Sequence, residues 1–269
     1  MQRRAAWALI GLLIFCCLAL VSSAVYPFSL SEPHAANPPD EQFTASESDS
    51  YRATGRIVVD GRVKLAFEAV ETTADERYLM VQEPGIRSER YQASPNAAVY
   101  ERLSVAHDTA EQLRADIRAD DDRHVLWENR TAERVTLITR ANTTDLSSSL
   151  GGPASVVISS LHVTSYRTAT ENDTANLRVY EPRNGWYDGT EPYRITAATG
   201  TIRTGADPYA VESATVRWTI TTPAGSYAAY ALGRLVGTDP RTHTISYEFD
   251  DETPALTHPA WANDTWNGT

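Results

Sequence analysis

Apolar and polar positions alternate with a period of two along most of this chain, which is the signature of half-buried strands. The clearest case is the pair Gly55–Val59 and Arg62–Val70, joined by Asp60-Gly61, a dipeptide suited to a type I′ hairpin turn. In the second arm Val63, Leu65, Phe67 and Ala69 alternate with Arg62, Lys64, Ala66 and Glu68, so one face is expected to be buried and the other wet. Strands are predicted over Arg77–Gln82, Arg87–Ala93 and Ala97–Leu103, separated by Glu83-Pro84-Gly85 and Ser94-Pro95-Asn96, an antiparallel meander. Val125–Trp127, Leu177–Tyr180, Arg194–Thr199 and Thr201–Thr204 read as further strands, and Arg134–Arg140 as a strand or a helix. Val211–Thr222 sets Ala214, Val216, Trp218 and Ile220 against Thr215, Arg217 and Thr219. Ser226–Leu232 is predicted as its partner across Pro223-Ala-Gly225, and Thr244–Phe249 turns Ile245, Tyr247 and Phe249 inward.

Helical signals are fewer. Asp108-Thr-Ala-Glu111 resembles a capping box with Asp108 as the cap, opening a short helix to Asp120 with Leu113 and Ile117 on one face. Asn142–Pro153 is rich in Gly, Ser and polar residues and reads as a loop or a boundary. Ala154–Thr170 reads as a helix running into a strand at His162–Tyr166. The pattern predicts an α+β fold, mostly antiparallel β, with a few short helices.

Ala5–Val25 breaks the alternation. It is uncharged, follows Arg3 and Arg4, and spans about 32 Å as a helix, enough for a bilayer core. Two readings stay open: a retained transmembrane helix with a cytoplasmic N-terminus, or a signal peptide cleaved after Ala24. Both place the rest of the chain outside the cell membrane, as a single-pass surface protein or a secreted one. Cys16 and Cys17 follow Phe15 and fit a lipidation motif poorly. Residues 26–50, rich in Pro, Ser and acid, read as a disordered linker. Residues 51–256 form the expected β-rich domain and 257–269 a tail, in which His258-Pro259-Ala260-Trp261 is placed to pack back on the sheet.

Charge narrows the function classes. The chain has 24 basic and 35 acidic residues and a net charge of −11, which argues against nucleic-acid binding. With no cysteine beyond Cys17, the exported part holds neither disulfides nor thiolate metal sites. Lys64 is its single lysine, and this arginine-for-lysine, acid-rich usage resembles haloarchaeal proteomes, whose carboxylate surfaces stay hydrated in concentrated salt. Five sequons, at Asn129, Asn142, Asn172, Asn263 and Asn267, are candidate glycosylation sites for an exported chain.

An N-terminal membrane segment, a polar linker, the Tyr51–Leu103 meander and the late strands over Val211–Phe249 together resemble haloarchaeal membrane-anchored, lipoprotein-like surface proteins. The fold of that group resembles the LolA/LppX half-barrel. The resemblance implies a single strongly curved sheet with helices on its concave face, where an apolar or lipid ligand is held. It implies no catalytic residue and no cofactor.

The ligand-facing candidates are the inward positions of the best strands: Val63, Leu65, Phe67, Val216, Trp218, Ile220, Tyr247 and Phe249. Ordinary core packing is the alternative for each. No nucleophile elbow, P-loop, zincin or dinucleotide pattern is present. The six histidines, His34, His107, His124, His162, His243 and His258, show no metal-ligand spacing, so no metal site and no catalytic residue is assigned. His107 and His124 flank the predicted helix beside Asp108, and Asp120-Asp121-Asp122 and Glu248–Glu252 are acid runs; all read as solvated surface. A non-enzymatic surface protein binding an apolar ligand is the first expectation, a ligand-free structural or adhesive envelope protein the second, an envelope-polymer hydrolase the third.

Overall fold

The computed structural model describes residues 12, 14–17, 43–142, 145–172, 177–187, 193–205, 207, 209–221, 227–237, 239–252 and 254–262. Its strands are β1 (Thr44–Ala45), β2 (Tyr51–Val59), β3 (Arg62–Glu71), β4 (Arg77–Glu83), β5 (Ile86–Gln92), β6 (Val99–Val105), β7 (Arg123–Arg130), β8 (Val135–Ala141), β9 (Tyr166–Asn172), β10 (Leu177–Pro182), β11 (Gly185–Tyr187), β12 (Tyr193–Thr204), β13 (Ala210–Ile220) and β14 (Arg241–Asp250). The helices are α1 (His107–Ala119), α2 (Ser147–Leu161) and α3 (Tyr227–Val236). All strands join one open sheet in the order β7-β8-β6-β5-β4-β3-β2-β14-β13-β12-β10-β9, with β1 and β11 attached to β13 and β12. Every pairing is antiparallel except β1 with β13.

The hairpin signal holds in detail. Asp60 and Gly61 both have positive φ, 51° and 75°, as a type I′ turn requires. The buried positions of β3 are Leu65, Phe67 and Ala69 on one face and Val70 on the other, and those of β14 are Ile245 and Tyr247.

One face of the sheet is covered by α2, which packs against β1, β2, β3, β4 and β14. Its stripe of Leu150, Ala154, Val157, Ile158 and Leu161 is buried, at the i, i+3, i+4 spacing of a helix that lies flat on a sheet. Small residues make room beneath it: Ala53, Gly55, Ala69 and Ala214 lie on the same face. The Phe67 ring takes the space where a Gly55 side chain would be. The other helix on this side, α1, buries Ala110 and Ile117 and packs against β7 over a separate cluster of Leu103, Val105, Val135 and Leu137.

Four expectations are corrected. The segment expected to be a loop up to Pro153 forms the first half of α2, with Pro153 inside the helix. Proline is tolerated there because the buried stripe on either side supplies the stability, and Gln92 Oε1 accepts the Leu146 N–H at the helix start (3.0 Å). Ser226–Leu232 is not a strand; Tyr227–Val236 is helical, as its alanine content and i, i+3 apolar spacing favour. Asp108 is not the cap of α1. Ala106 holds that place without a side-chain bond, and Asp108 Oδ1 accepts from the Thr109 N–H within the first turn (2.8 Å).

The fourth correction concerns the domain limits. Residues 43–50 belong to the fold rather than to the linker. Phe43 is buried, meets Tyr166 and Tyr180 edge-on at 5.3 Å, and is followed by β1 on the edge of β13. At the other end the tail packs on the opposite face from α2. His258 meets the Tyr91 ring at 4.8 Å, and Arg102 lies over Trp261 at 5.6 Å. Residues 26–42 of the linker reading fall outside the described residues. So does most of Ala5–Val25, of which Leu12 and Ile14–Cys17 are helical and exposed. Among the described residues no helix is long and apolar enough to cross a membrane.

Candidate functional site: the sheet face beneath helix α2

Strands β13, β14, β2 and β3 bring most of the sequence-predicted positions onto one surface. Val216 faces Ile245, and Ile245 faces Ile57, which in turn faces Leu65. One row away, Ala214, Tyr247, Gly55 and Phe67 align across the same four strands. Leu65, Phe67, Val216, Trp218 and Tyr247 are all buried and belong to one core cluster with the α2 stripe. Ile220 and Phe249 are half-buried at its margins. Phe249 stacks on Tyr51 (5.5 Å, 19° between planes).

Val63 is not part of this surface. The β2–β3 register shifts between Ile57 and Val58, so that Leu65 opposes Ile57 but Val63 opposes Val58. An extra residue on one strand inverts the alternation beyond it. Val63 lines instead a groove of about 280 Å³ with Gln82, Arg87, Ser104 and Arg134.

Buried polar atoms stand out in this cluster. Among the described residues Trp218 Nε1 and Tyr247 Oη are buried without a hydrogen-bond partner, as is Thr204 Oγ1 at the end of β12. An unsatisfied buried polar group costs about 1–3 kcal/mol. Burial pushes the Tyr247 phenol well above its usual range, so it keeps its proton and remains a donor. His243 stacks on the Trp218 ring (6.3 Å, 18°), and burial lowers its pKa, which favours neutral imidazole there. Tyr51, at the margin, is pushed up to about 12 by burial and then by Glu71.

The same sheet face becomes polar towards β7. Glu101 accepts from Ser88 Oγ (2.8 Å) and Arg90 Nε (2.8 Å) and pairs with Arg123. On the opposite face Glu89 is held by Arg87 (2.6 Å) and Arg102 (2.5 Å). Both carboxylates are buried, but their places on opposite faces keep them from working as a pair. Arg114 of α1 clamps Glu128 of β7 through Nε (2.8 Å) and Nη2 (2.5 Å), which fixes α1 on the sheet. A groove of about 430 Å³ beside this clamp is lined by Ile117, Arg118, Asp120, Arg123 and His124.

His107 and His124 do not converge. His107 bonds the Thr131 carbonyl at the start of α1 (3.1 Å), whereas His124 lies beyond its end. Glu248–Glu252 lines a third groove, of about 820 Å³, with Glu47, Asp207 and Glu212. Among the described residues no three His, Cys, Asp or Glu side chains are arranged to hold a metal ion.

Sequence reasoning missed the cover. Leu146, Leu150 and Ala154 carry a legible four-residue spacing, but Gly151, Gly152 and Pro153 interrupt it. It also missed Tyr166, Tyr180, Ile195 and Ile202, which complete the buried cluster from the far strands. No family model, curated protein or solved structure matches the chain.

Proposed function

We propose that this is a non-enzymatic cell-surface domain, held at the membrane by Ala5–Val25, whose sheet is strongly curved in the manner of a half-barrel. Its concave face binds the apolar part of a lipid-like amphiphile beneath α2. The observation that carries the reading is that Trp218 Nε1 and Tyr247 Oη, in a largely apolar cluster, have no partner among the described residues. An amphiphile offers what the two positions lack, oxygen acceptors on an apolar chain. Gly151, Gly152 and Pro153 make the first half of α2 the weakest part of the cover, and access runs through its displacement.

The experiment is tryptophan quenching by brominated acyl lipids, with the full chain in detergent micelles. Bromine quenches an indole only on close approach. Trp218 is expected to supply part of the quenched emission, so that Trp218→Phe lowers the quenchable fraction. An equal quenchable fraction in both proteins contradicts the proposal. A second reading, a ligand-free structural or adhesive envelope domain, is favoured by the tight burial of Leu65, Phe67 and Val216, at 7%, 2% and 0% exposure.

A further inference from the structure

The sheet is open, and among the described residues its outermost strands β7 and β9 each pair on one side only. An unpaired strand edge offers a row of N–H and C=O groups to any second chain, and folded proteins blunt such edges. The β7 edge also exposes an apolar side chain, Val125, at 40%.

Three of the five sequons fall at these edges. Asn129 lies within β7, one residue from its end. Asn142 follows β8, and its N–H donates to the Asp122 carbonyl (3.2 Å), immediately before β7 begins. Both ends of one edge strand are therefore flanked by a sequon. Asn172 is the last residue of β9, the opposite edge. Glu128 and Arg130 both bond to α1, through Arg114 and Glu111, so alternation turns Asn129 to the other face, away from the helix. Asn129 and Asn142 are exposed, and neither carboxamide makes a hydrogen bond among the described residues, which leaves both open to a transferase.

We infer that Asn129, Asn142 and Asn172 are N-glycosylated and that their glycans keep the two sheet edges from pairing with a second copy of the chain. The inference rests on the placement of the domain outside the cytoplasm and is independent of any ligand beneath α2. The donor is a polyprenyl-phosphate-linked oligosaccharide, delivered by a membrane transferase. The Asn Nδ2 attacks the anomeric carbon, and the bond from that carbon to the phosphate oxygen breaks. The lipid phosphate leaves with the electron pair, and one amide proton passes to a base of the transferase. The hydroxyls of Thr131, Thr144 and Thr174 complete the three acceptor motifs.

The test uses the full chain isolated from its own cells. Glycopeptide mass mapping is expected to find sugar on the peptides of Asn129, Asn142 and Asn172. The combined variant Asn129→Gln, Asn142→Gln and Asn172→Gln is expected to keep the wild-type circular dichroism but to elute as dimers and larger species by light scattering. Adding Val125→Lys, which places a charge on the β7 edge, is expected to restore part of the monomer. Bare peptides at either edge, or a triple variant as monomeric as the wild type, overturn the inference. If all three peptides are bare, protease added to intact cells separates the two possible failures. Cleavage of the domain means that it is exported and the glycan inference alone has failed. Protection means that the external placement has failed with it.

Discussion

Trp218→Ala is expected to destabilise the domain by about 3–5 kcal/mol, the usual cost of deleting a large aromatic from a packed core. The indole is 1% exposed and shares a cluster with Val216, Ile245 and the α2 stripe. At roughly 2–4 °C per kcal/mol for a chain of this size, the thermal midpoint falls by about 10 °C. Trp218→Phe separates shape from polarity. It keeps most of the apolar volume and deletes the Nε1–H, which has no partner among the described residues, so its cost is expected to stay below about 1.5 kcal/mol. Thermal unfolding followed by circular dichroism measures both. A phenylalanine variant as damaged as the alanine variant would mean that Nε1 has a partner after all, and would remove the observation on which the ligand proposal stands.

The second large effect is expected at Gly200. This residue sits inside β12 with φ at +115°, a region that side-chain-bearing residues rarely adopt. A Cβ at this position would also run into the Thr215 carbonyl oxygen and the backbone of Val216 on β13. Gly200→Val therefore meets backbone strain and a clash with a neighbouring main chain that cannot swing aside. A loss of about 3 kcal/mol or more is expected. Because β10 and β9 reach the rest of the sheet through β12, hydrogen exchange should quicken in all three strands while β2–β6 change little. Uniform loss of protection across the sheet, or wild-type protection in β12, would contradict this.

The positions that were legible in the sequence share a physical cause. Strands with one buried face keep a period of two, so Leu65, Phe67, Val216, Trp218, Ile245 and Tyr247 were found inward and are inward. The type I′ turn was legible because few dipeptides other than Asp-Gly tolerate two consecutive positive φ values. Local exceptions were not legible. One register shift beside Lys64 turned Val63 to the other face, and no composition signal marks a bulge of that kind. Helix α2 was half-read because propensity argues against Gly151-Gly152-Pro153, while the tertiary contacts of Leu150, Ala154 and Val157 override it. Helix α3 was read as a strand because a short alanine-rich run following a turn fits a hairpin arm as well as a helix.

The polar part of the sheet face had the weakest signal. Ser88 and Arg90 of β5, Glu101 of β6 and Arg123 of β7 come together only through the order β5-β6-β8-β7. Alternation places each side chain on a face but does not say which strand will be its neighbour. That Trp218 Nε1 and Tyr247 Oη have no partner among the described residues is of the same kind, since it depends on which groups the fold brings against them.

The most direct test of ligand binding on this face is native mass spectrometry of the full chain isolated from its own cells in mild detergent. The account predicts a lipid-sized adduct, one per chain, that survives detergent removal and is weakened in Trp218→Phe. A chain that always flies without a lipid-sized adduct, with the Trp218→Phe protein indistinguishable from it, would contradict the account and leave α2 as the permanent cover of a closed core.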